Sequence, residues 1–495
     1  MFSEAILRDW DPAPFRAALV RAGYTRNDLE AADLHRPGEP FARLHLAAKL
    51  LPADSPLLAA CRLFDHGEPV DGKSAMTLFG SDLLGLLRIG LLEPLGNDLI
   101  RSAAKIDANE HGWFAYDHSA ALVAGRPDYV MGEGNSSRML TALATARKGD
   151  RVLDLGTGAG WGALRLAEKG CRVTAVDLSE RALGFARFNA RLAGIDSIEF
   201  LQGDRFEPVA GRTFDAIASN PPFVISPQNT FVFRDGGVKG DGFCESLARA
   251  FPEHLVEGGI AVMILNWYDV DPERWDERPL AWTKDRGCDV WLFRSDRHEP
   301  AEYAFRWLRE SGRGRTPSAA EQAEWTDYYR ELGASGMNLG FLAMRKRDGR
   351  NWTRSDSRTD VKVVATAGEE IRRIFDNQTW LNGGPRGDAE LLAIPFQVPD
   401  GIRAETDMLL DRGWGMRTIR LRSSGQLSYD GQVDEFILRL LEACRAGGKP
   451  GDLLDEILSK PQFAGATGVD SQIAGLVREM VRHGLLLPPE DASRI

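Results

Sequence analysis

The stretch Val152-Leu153-Asp154-Leu155-Gly156-Thr157-Gly158-Ala159-Gly160 decides the fold of this chain. An apolar strand runs into glycines, which permit positive φ and let a bulky ligand approach the backbone. A helix is predicted directly behind them, from Gly162 to Lys169, and its first turn offers free N–H groups. Further on, Val173–Asp177 ends a second strand in an acid. This arrangement predicts a nucleoside at the carboxyl ends of neighbouring strands, with Asp177 on the ribose hydroxyls.

Strands and helices alternate around this stretch, from about residue 135 to residue 347. Helical patterns such as Ser179–Ala193 and Gly242–Leu255 separate most of the strands. The predicted strands are Arg151–Leu155, Arg172–Asp177, Ile198–Gln202, Phe214–Ser219, Ile260–Leu265, Asp289–Phe293 and Asn338–Arg345. The alternation predicts an α/β fold with a seven-stranded, mostly parallel sheet and helices on both faces. The polar, alternately charged segment Arg350–Asp360 is predicted to be a linker or loop.

Both flanks of this region are predicted to be separate modules. In residues 1–125, a pair of helices at Met76–Leu92 precedes a turn at residues 110–112, which favours a helical or winged-helix-like module. The C-terminal stretch Arg482–Pro488 repeats the pattern of Arg88–Pro94, in which a helix ends at Gly before a Leu-Leu pair. We therefore predict three domains: residues 1–125, 126–347 and 348–495, the last winged-helix-like at 430–490.

Composition narrows the class of protein. The chain has 495 residues, 43% hydrophobic and 27% charged, which is typical of a soluble globular protein with two or three domains. Its net charge of −11 disfavours diffuse attraction to nucleic acid or anionic lipid. Five scattered cysteines without a C-x-x-C pattern favour reduced thiols in the cytoplasm. We expect no signal peptide, no membrane span, and no metal site built by the protein.

Two acids indicate which kind of nucleoside binds. Asp154 lies two residues before the first glycine, which is atypical of dinucleotide folds and expected where a cationic ligand is held. Its carboxylate can orient the loop and compensate an ammonium or sulfonium charge. The third strand ends in Gly203-Asp204-Arg205-Phe206, where an acid is well placed to meet an adenine amino group.

The segment Ser219-Asn220-Pro221-Pro222-Phe223 follows the fourth predicted strand. Consecutive prolines fix φ and forbid helix for the residue before each of them, so Asn220 lies on a stiff backbone. The segment is compatible with an ordinary loop turn. It is also compatible with a site for an amine or amide, in which the Asn220 carbonyl accepts an N–H and Phe223 contacts the flat face.

These motifs, in this order, resemble those of the class I S-adenosylmethionine-dependent methyltransferases over roughly Gly132–Arg347. The resemblance implies S-adenosyl-L-methionine as the cofactor. The residues expected to bind it are Asp154, Gly156, Thr157, Gly158, Gly160, Asp177, Leu178, Asp204, Arg205 and Asn220. The segment Tyr129–Arg138 resembles the loop that closes over the methionine part of the cofactor in this superfamily. The same segment fits a helix N-cap, with a residue of 135–137 opening a helix at Met139–Arg147.

In such enzymes the N-P-P-F/Y turn belongs to those that alkylate planar nitrogens, so the resemblance implies Asn220, Pro221, Pro222 and Phe223 as catalytic residues. The Asn220 side-chain oxygen and the Pro221 carbonyl would accept two N–H donors, and Phe223 would stack on the flat group. Catalysis would then be mainly orientation, in a direct displacement without a covalent enzyme intermediate.

Residues 224–227 and the Gly-Gly turn within Arg234–Gly242 narrow the resemblance to release-factor glutamine methyltransferases. Phe223, where that family has Tyr, and the large flanking regions depart from it. Protein-glutamine N-methylation, with a translation factor as partner, is the first hypothesis. The second is N-methylation of an exocyclic base amino group in RNA or DNA. The third is a non-catalytic S-adenosylmethionine-binding regulator. The sequence leaves the oligomeric state open.

Overall fold

The computed structural model describes most of the chain in three consecutive regions. A helical region with small sheets is followed by a large sheet with helices on both faces, and then by a second helical region with a small sheet. The described residues are 2–34, 46–228, 234–311, 315–359, 361, 363–384, 386–410, 414–461 and 467–489.

The N-terminal region combines short helices with two small β-structures. Strand β1 joins the β2–β3 hairpin in an antiparallel sheet of order β1-β3-β2, and β4 and β5 form a separate hairpin. Its helices are α1 Glu4–Arg8, α2 Ala13–Arg21, α3 Arg26–Ala31, α4 Pro56–Ala60, α5 Gly72–Phe79, α6 Leu83–Arg88 and α7 Ser119–Val123. Its strands are β1 Val70–Asp71, β2 Leu92–Gly96, β3 Leu99–Ser102, β4 Lys105–Asn109 and β5 Gly112–Tyr116. The winged-helix assignment of this region stays a prediction.

The central sheet has eight strands in the order β13-β11-β12-β10-β9-β6-β7-β8. All neighbours are parallel except β12, which is antiparallel to both β10 and β11. Its strands are β6 Arg151–Leu155, β7 Arg172–Asp177, β8 Ile198–Gln202, β9 Phe214–Ser219, β10 Leu255–Asp269, β11 Cys288–His298, β12 Gly336–Lys346 and β13 Thr353–Ser357. The chain leaves β6 toward β7 and β8, whereas β9 lies on the other side of β6. The carboxyl ends of β6 and β9 therefore border the crevice where ligands of such sheets bind.

All seven predicted strands are in this sheet, but the prediction of a linker or loop at residues 350–360 was wrong. Strand β13 forms there and pairs with β11 as an eighth, edge strand. Its polar side chains are compatible with an edge position because they find partners: Trp291 Nε1 donates to Asp356 at 2.6 Å, and the Arg354 guanidinium lies over the Trp291 ring. A polar strand of this kind lacks the apolar alternation by which strands are recognised in a sequence.

Helices cover both faces of the sheet. They are α8 Asn135–Leu143, α9 Trp161–Glu168, α10 Glu180–Ala193, α11 Gly242–Ala250, α12 Glu277–Thr283, α13 Pro300–Ser311 and α14 Ala319–Glu331. Helix α10 was predicted from Ser179 and begins at Glu180, because Ser179 is its N-cap and its side chain accepts from the Ala182 amide. The predicted start of α8 at Met139 was wrong, because the helix already begins at Asn135, behind Gly134. The Ser136 side chain is thereby free for another contact, described below.

The N-terminal region and α10 share one hydrophobic core. Phe2 stacks on Phe188 with ring centroids 4.4 Å apart, and Trp10 stacks on the same ring at 5.0 Å. All three side chains are buried. Burial of aromatic surface of this size stabilises a contact by several kcal/mol, on the order of 2 kcal/mol per ring. The N-terminal region is therefore firmly attached to the helix that follows β7.

The C-terminal region packs on the sheet through its first helix. The helices are α15 Ala367–Asn382, α16 Asp388–Leu392, α17 Glu435–Arg445, α18 Pro450–Leu458 and α19 Val469–Arg482, with the antiparallel sheet β14 Arg403–Leu410, β15 Trp414–Arg422 and β16 Asp430–Val433. Phe375 on α15 packs against Trp352 at 5.0 Å. In residues 430–489 as described, β16 precedes three helices and Leu487 forms a single bridge with Gln397. The winged-helix assignment at 430–490 stays a prediction.

The repeated pattern has the same backbone conformation at both ends of the chain. Gly90 ends α6 with φ 74°, and Gly484 ends the turn after α19 with φ 64°. In both places the Leu-Leu pair that follows is buried. Among the helices in the part of the chain that the structure describes, none has the length and apolar character of a membrane span.

Candidate active site

The glycine-rich loop connects β6 to α9 and forms the floor of the site. Gly156, Gly158 and Gly160 all have positive φ, at 77°, 56° and 90°, which side chains other than glycine rarely adopt. The Gly156 and Thr157 amides donate to the Val176 carbonyl at 2.9 and 3.0 Å. The loop is therefore fixed to the end of β7, and its open side faces the crevice.

Asp154 supports this loop from below. Its carboxylate is buried and accepts a hydrogen bond from the Thr157 hydroxyl at 2.7 Å. A Cβ on Gly162 would come within 3.1 Å of the same carboxylate, so the start of α9 packs directly on it. Burial raises the pKa of Asp154 to about 6. The predicted role of orienting the loop agrees with this position, whereas the side chain is not among the residues that line the cavity described below.

Asp177 ends β7 beside the loop. One carboxylate oxygen accepts from the Gly158 amide at 2.8 Å, and the other accepts from the Ser179 amide at 2.9 Å. Burial raises the pKa of Asp177, while these two amides favour its charged form. An ionised carboxylate accepts up to about four hydrogen bonds. Asp177 therefore keeps capacity for the two hydroxyls of a ribose.

The end of β8 forms the next wall. Asp204 and Arg205 form an ion pair at 2.7 Å, and Arg205 has positive φ at 47°. Leu178, which follows β7, is 56% exposed beside them. An exposed leucine next to a carboxylate provides an apolar surface for a flat ring and an acceptor for its amino group. The predicted contact of Asp204 with adenine fits this geometry.

Asn220 lies where β9 ends in the Asn-Pro-Pro turn. The preceding Ser219 hydroxyl donates to the Leu155 carbonyl at 3.0 Å, which ties the turn to the end of β6. The Asn220 side-chain amide donates to the Ser136 hydroxyl at 3.1 Å. Its side-chain oxygen is buried and has no hydrogen-bond partner among the described residues. An unpaired buried carbonyl costs about 1–3 kcal/mol, which a bound donor would recover.

A cavity of about 420 Å³ joins these elements. This volume is within the usual range of small-molecule sites, roughly 300–1,000 Å³. Of the predicted site residues, those that line it are Gly156, Thr157, Gly158, Asp177, Leu178, Asp204, Arg205, Asn220, Pro221 and Pro222. Gly160 lies behind the loop, where a Cβ would be 2.9 Å from the Ala186 Cβ, so it allows α9 and α10 to pack closely.

Phe223 is placed differently from the prediction. Its ring packs edge-on against Trp307, with centroids 6.2 Å apart, and it contributes to hydrophobic clusters behind the turn. It is not among the residues that line the cavity. Its stacking on an acceptor group stays a prediction.

Phe114 of the N-terminal region also lines the cavity, and it was not among the predicted site residues. It lies on β5 and lines the cavity together with Trp161, and the two rings pack edge-on at 5.3 Å. The Asn189 side chain on α10 accepts from the Ala115 amide and donates to the Ala115 and Ala159 carbonyls. This buried amide joins β5 to the glycine loop. No local sequence pattern signals contacts between residues so far apart in the chain.

Residues 128–132 also line the cavity and overlap the segment Tyr129–Arg138. Closure of that segment over the methionine part of the cofactor stays a prediction. Gly132 packs against Tyr116, since a Cβ there would lie 2.7 Å from its ring. Opposite, Gly236 and Gly237 of the Gly-Gly turn also line the cavity.

These residues fit S-adenosylmethionine. Asp177 would hold the ribose, Leu178 and Asp204 the adenine, and the glycine loop the methionine part. Asn220, whose side-chain oxygen is unpaired among the described residues, lines the cavity together with Pro221 and Pro222. The fit thus rests on an acid with free acceptor capacity, a loop open to a ligand, and a cavity of suitable volume.

Comparison with known families agrees with this assignment. Residues 133–266 match the methyltransferase small domain, and residues 372–488 match a domain of unknown function, DUF7782. The first match contains the glycine loop, both strand-end acids and the Asn-Pro-Pro-Phe turn. The second begins within α15 and ends after α19.

Curated relatives carry methyltransferase names. The chain is 54% identical over 108 residues to a release factor glutamine methyltransferase of Yersinia pestis, covering 21% of this chain and 37% of that protein. It is 34% identical over 167 residues to a ribosomal protein uL3 glutamine methyltransferase of Bradyrhizobium diazoefficiens, covering 30% and 51%. It is 33% identical over 184 residues to the ribosomal RNA small subunit methyltransferase C of Chromohalobacter salexigens, covering 36% and 51%.

The chain spans about half or less of the length of these relatives. The similarity therefore describes a domain and leaves the flanking regions aside. Sheet order, glycine loop, strand-end acids and family match agree with one another. Together they support a class I S-adenosylmethionine-dependent methyltransferase domain at residues 133–266.

Proposed function

We propose that this chain is an S-adenosylmethionine-dependent N-methyltransferase that acts on the side-chain amide of glutamine in a protein. The observation that carries the proposal is the Asn220 side-chain oxygen, which is buried without a partner among the described residues at the wall of the cofactor cavity. An acceptor placed there suits a planar nitrogen that carries N–H donors. Pro221 and Pro222 fix the backbone around it.

The proposed mechanism is one of orientation. Bound S-adenosylmethionine supplies an electrophilic methyl group on a cationic sulfur. The Asn220 oxygen accepts one N–H of the substrate amide, and the Pro221 carbonyl accepts the other, which fixes the plane of the amide and directs the nitrogen lone pair. Amide nitrogens are weak nucleophiles because their lone pair is delocalised, so this alignment supplies most of the catalysis. The nitrogen gains the methyl group as the methyl–sulfur bond breaks with its electron pair left on sulfur, and the nitrogen then loses one N–H proton to water.

Ser136 would assist by fixing Asn220. Its hydroxyl accepts from the Asn220 amide, so the side-chain nitrogen is occupied and the oxygen is left for the substrate. Ser136 lies in the first turn of α8, close in the chain to residues 128–132, which line the cavity.

The names of the relatives support a protein acceptor. Two of the three relatives above are named as glutamine methyltransferases, of a release factor and of ribosomal protein uL3. We infer a protein of the translation apparatus, in the cytoplasm, as the partner. The third relative is named for ribosomal RNA, which keeps a base amino group as the rival acceptor. The net charge of −11 disfavours an RNA substrate.

The division of labour among the domains is part of the proposal. We infer that residues 126–347 carry the chemistry, and that residues 1–125 and 348–495 select the acceptor. Phe114 supports an additional role of the N-terminal module, because it contributes a wall to the cofactor cavity.

Lysate from a strain that lacks the gene tests the proposal. The purified chain and methyl-tritiated S-adenosylmethionine are added, and the product is treated with protease or with nuclease. We expect label released by protease, on the side-chain nitrogen of glutamine. Label released only by nuclease would overturn the glutamine assignment. Tight cofactor binding without any transfer would show a regulator instead of an enzyme.

A further inference from the structure

Ile225, two residues after Phe223, has both of its backbone groups bonded to tyrosine hydroxyls. Its N–H donates to the Tyr303 hydroxyl at 3.2 Å, and its carbonyl accepts from the Tyr329 hydroxyl at 2.8 Å. Tyr303 lies on α13 and Tyr329 on α14, the helices inserted between β11 and β12. Side chains from another part of the chain therefore replace the backbone partners of this residue.

A third contact ties the arrangement to the sheet. The Asn266 side-chain amide, on β10, donates to the Tyr303 hydroxyl at 2.7 Å. Strand β10 is the parallel neighbour of β9, which leads into the catalytic turn. Asn266, Tyr303 and Tyr329 are all buried, and the two tyrosine rings pack edge-on at 5.9 Å. The position of Ile225 is thus fixed from the sheet and from both inserted helices.

Burial also favours the protonated form that the Tyr329 hydroxyl needs as a donor. It raises the pKa of both Tyr303 and Tyr329. A neutral phenol is needed at Tyr329, because only the protonated hydroxyl donates to a carbonyl. The contact therefore persists throughout the neutral pH range.

Tyr328, next to Tyr329 on α14, contacts the segment that contains the Gly-Gly turn. The Tyr328 hydroxyl accepts from the Gly240 amide at 2.8 Å, in the turn that continues from Gly236 and Gly237. The two segments also pair with each other, since the Val224 amide donates to the Arg234 carbonyl at 3.2 Å. One inserted helix thus contacts both segments that face the acceptor.

We propose that the inserted helices α13 and α14 position the catalytic turn. Tyr303 and Tyr329 are the positioning residues, and they keep Asn220 in the position from which it orients the substrate nitrogen toward the transferred methyl group. The inference rests on the proposed function. Pro221 and Pro222 make the turn stiff, so a restraint at Ile225 is transmitted to Asn220 instead of being absorbed between them. Neither tyrosine lines the cofactor cavity, so their loss is expected to spare cofactor binding.

Tyr303→Phe and Tyr329→Phe remove only the hydroxyls. For each variant, we expect methyl transfer to lysate protein to fall at least about tenfold, since small misplacements of reacting groups have effects of this size. We expect exchange of the Ile225 amide hydrogen to accelerate about fivefold in Tyr303→Phe, because one hydrogen bond is lost. The Kd of S-adenosylmethionine, measured by calorimetry, is expected to stay unchanged.

Tyr24→Phe is the matched control. Tyr24 is equally buried, and its hydroxyl is bonded to the Ile106 carbonyl at 2.8 Å and to the Asp65 carboxylate at 3.1 Å, away from the catalytic turn. The Tyr24→Phe variant also loses the hydrogen bonding of one buried hydroxyl. A general loss of stability would therefore lower its melting temperature as it lowers those of the other two tyrosine variants. We expect methyl transfer by Tyr24→Phe to equal that of the wild type.

The possible results separate the two proposals. Wild-type transfer to glutamine, with unchanged transfer in both tyrosine variants, would overturn the positioning role and leave the proposed function intact. Equal losses in Tyr24→Phe would also overturn it, because the effect would then be one of stability. A wild type that transfers no methyl to protein would overturn the proposed function itself. Accelerated exchange with slowed transfer and unchanged Kd supports the inference.

Discussion

Asp117 and Arg181 form a bidentate ion pair between the segment after β5 and helix α10. The pair fixes residues 128–132, which line the cofactor cavity. The Asp117 carboxylate also accepts from the Val130 amide at 2.8 Å, and Arg181 also donates to the Asp128 carbonyl at 3.1 Å. Asp128 and Val130 both line the cavity. Residues 128–132 are therefore held by the buried Asp117 and by Arg181, both of which lie outside this segment.

Arg181→Lys should weaken cofactor binding without slowing transfer at saturation. Lysine keeps the charge but has a single donor point, so it cannot bond both the Asp117 carboxylate and the Asp128 carbonyl in the same way. We expect the Kd of S-adenosylmethionine to rise about tenfold, the effect of roughly one charged hydrogen bond. Calorimetric titration measures it.

Arg187→Lys is the control on the same helix. Arg187 pairs with Glu180 at 2.7 Å, away from the cavity. The Kd of S-adenosylmethionine for this variant should equal that for the wild type. An equal rise in both variants would show that α10 as a whole, and not the Asp117 contact, sets the affinity.

Gly160→Ala should destabilise the fold more than Gly158→Ala. Both positions have positive φ, which costs an alanine about 1–2 kcal/mol. At Gly160 the new Cβ would also lie 2.9 Å from the Ala186 Cβ, and overpacking adds about 1–3 kcal/mol, whereas nothing lies within 4 Å at Gly158. Urea unfolding of the two variants measures the difference. Equal losses would contradict the close packing of α9 on α10.

Asp154 should make the stability of the fold depend on pH in a specific direction. Burial raises its pKa in the folded state to about 6, above the value of 3.8 expected for an exposed aspartate. A group whose pKa is raised on folding stabilises the fold below its unfolded pKa and loses that contribution as the pH rises through the folded pKa. The contribution of Asp154 is therefore largest below pH 3.8 and is lost by about pH 6.

Comparison with Asp154→Asn isolates this contribution from those of other carboxyl groups. Asparagine retains an oxygen for the Thr157 hydroxyl but does not titrate. We expect the free energy of unfolding of the wild type, minus that of the variant, to decrease between pH 4 and pH 7. A difference that increases with pH would mean that Asp154 stabilises the fold as an anion.

Much of the methyltransferase domain was predictable because its signals are local. Each of the seven predicted strands is an apolar run, and the glycine loop, Asp177 and the Asn-Pro-Pro turn are contiguous motifs at strand ends. Once the strand that a motif follows is identified in the sequence, the position of the motif in the fold is known. Most of the residues of these motifs line the cavity, whereas their contacts with the cofactor stay predictions.

The remaining features depend on partners that are distant in the chain. Strands β10 and β12 continue beyond the predicted ends, to Asp269 and Gly336, where they pair with each other. Tyr303, Tyr329 and Asn189 act through backbone groups at least 30 residues away. A sequence pattern shows that such residues are buried, but it does not show which backbone group they meet.

The most direct test of the account is the methyl transfer rate of Asn220→Ala beside its affinity for S-adenosylmethionine. The alanine removes the unpaired oxygen that is proposed to orient the substrate nitrogen. We expect transfer to fall by at least about a hundredfold, as when an orienting group is lost, with the Kd of the cofactor unchanged. Ser136→Ala, which keeps that oxygen, should retain more activity. Loss of both transfer and cofactor binding in Asn220→Ala, or loss of neither, would contradict the account.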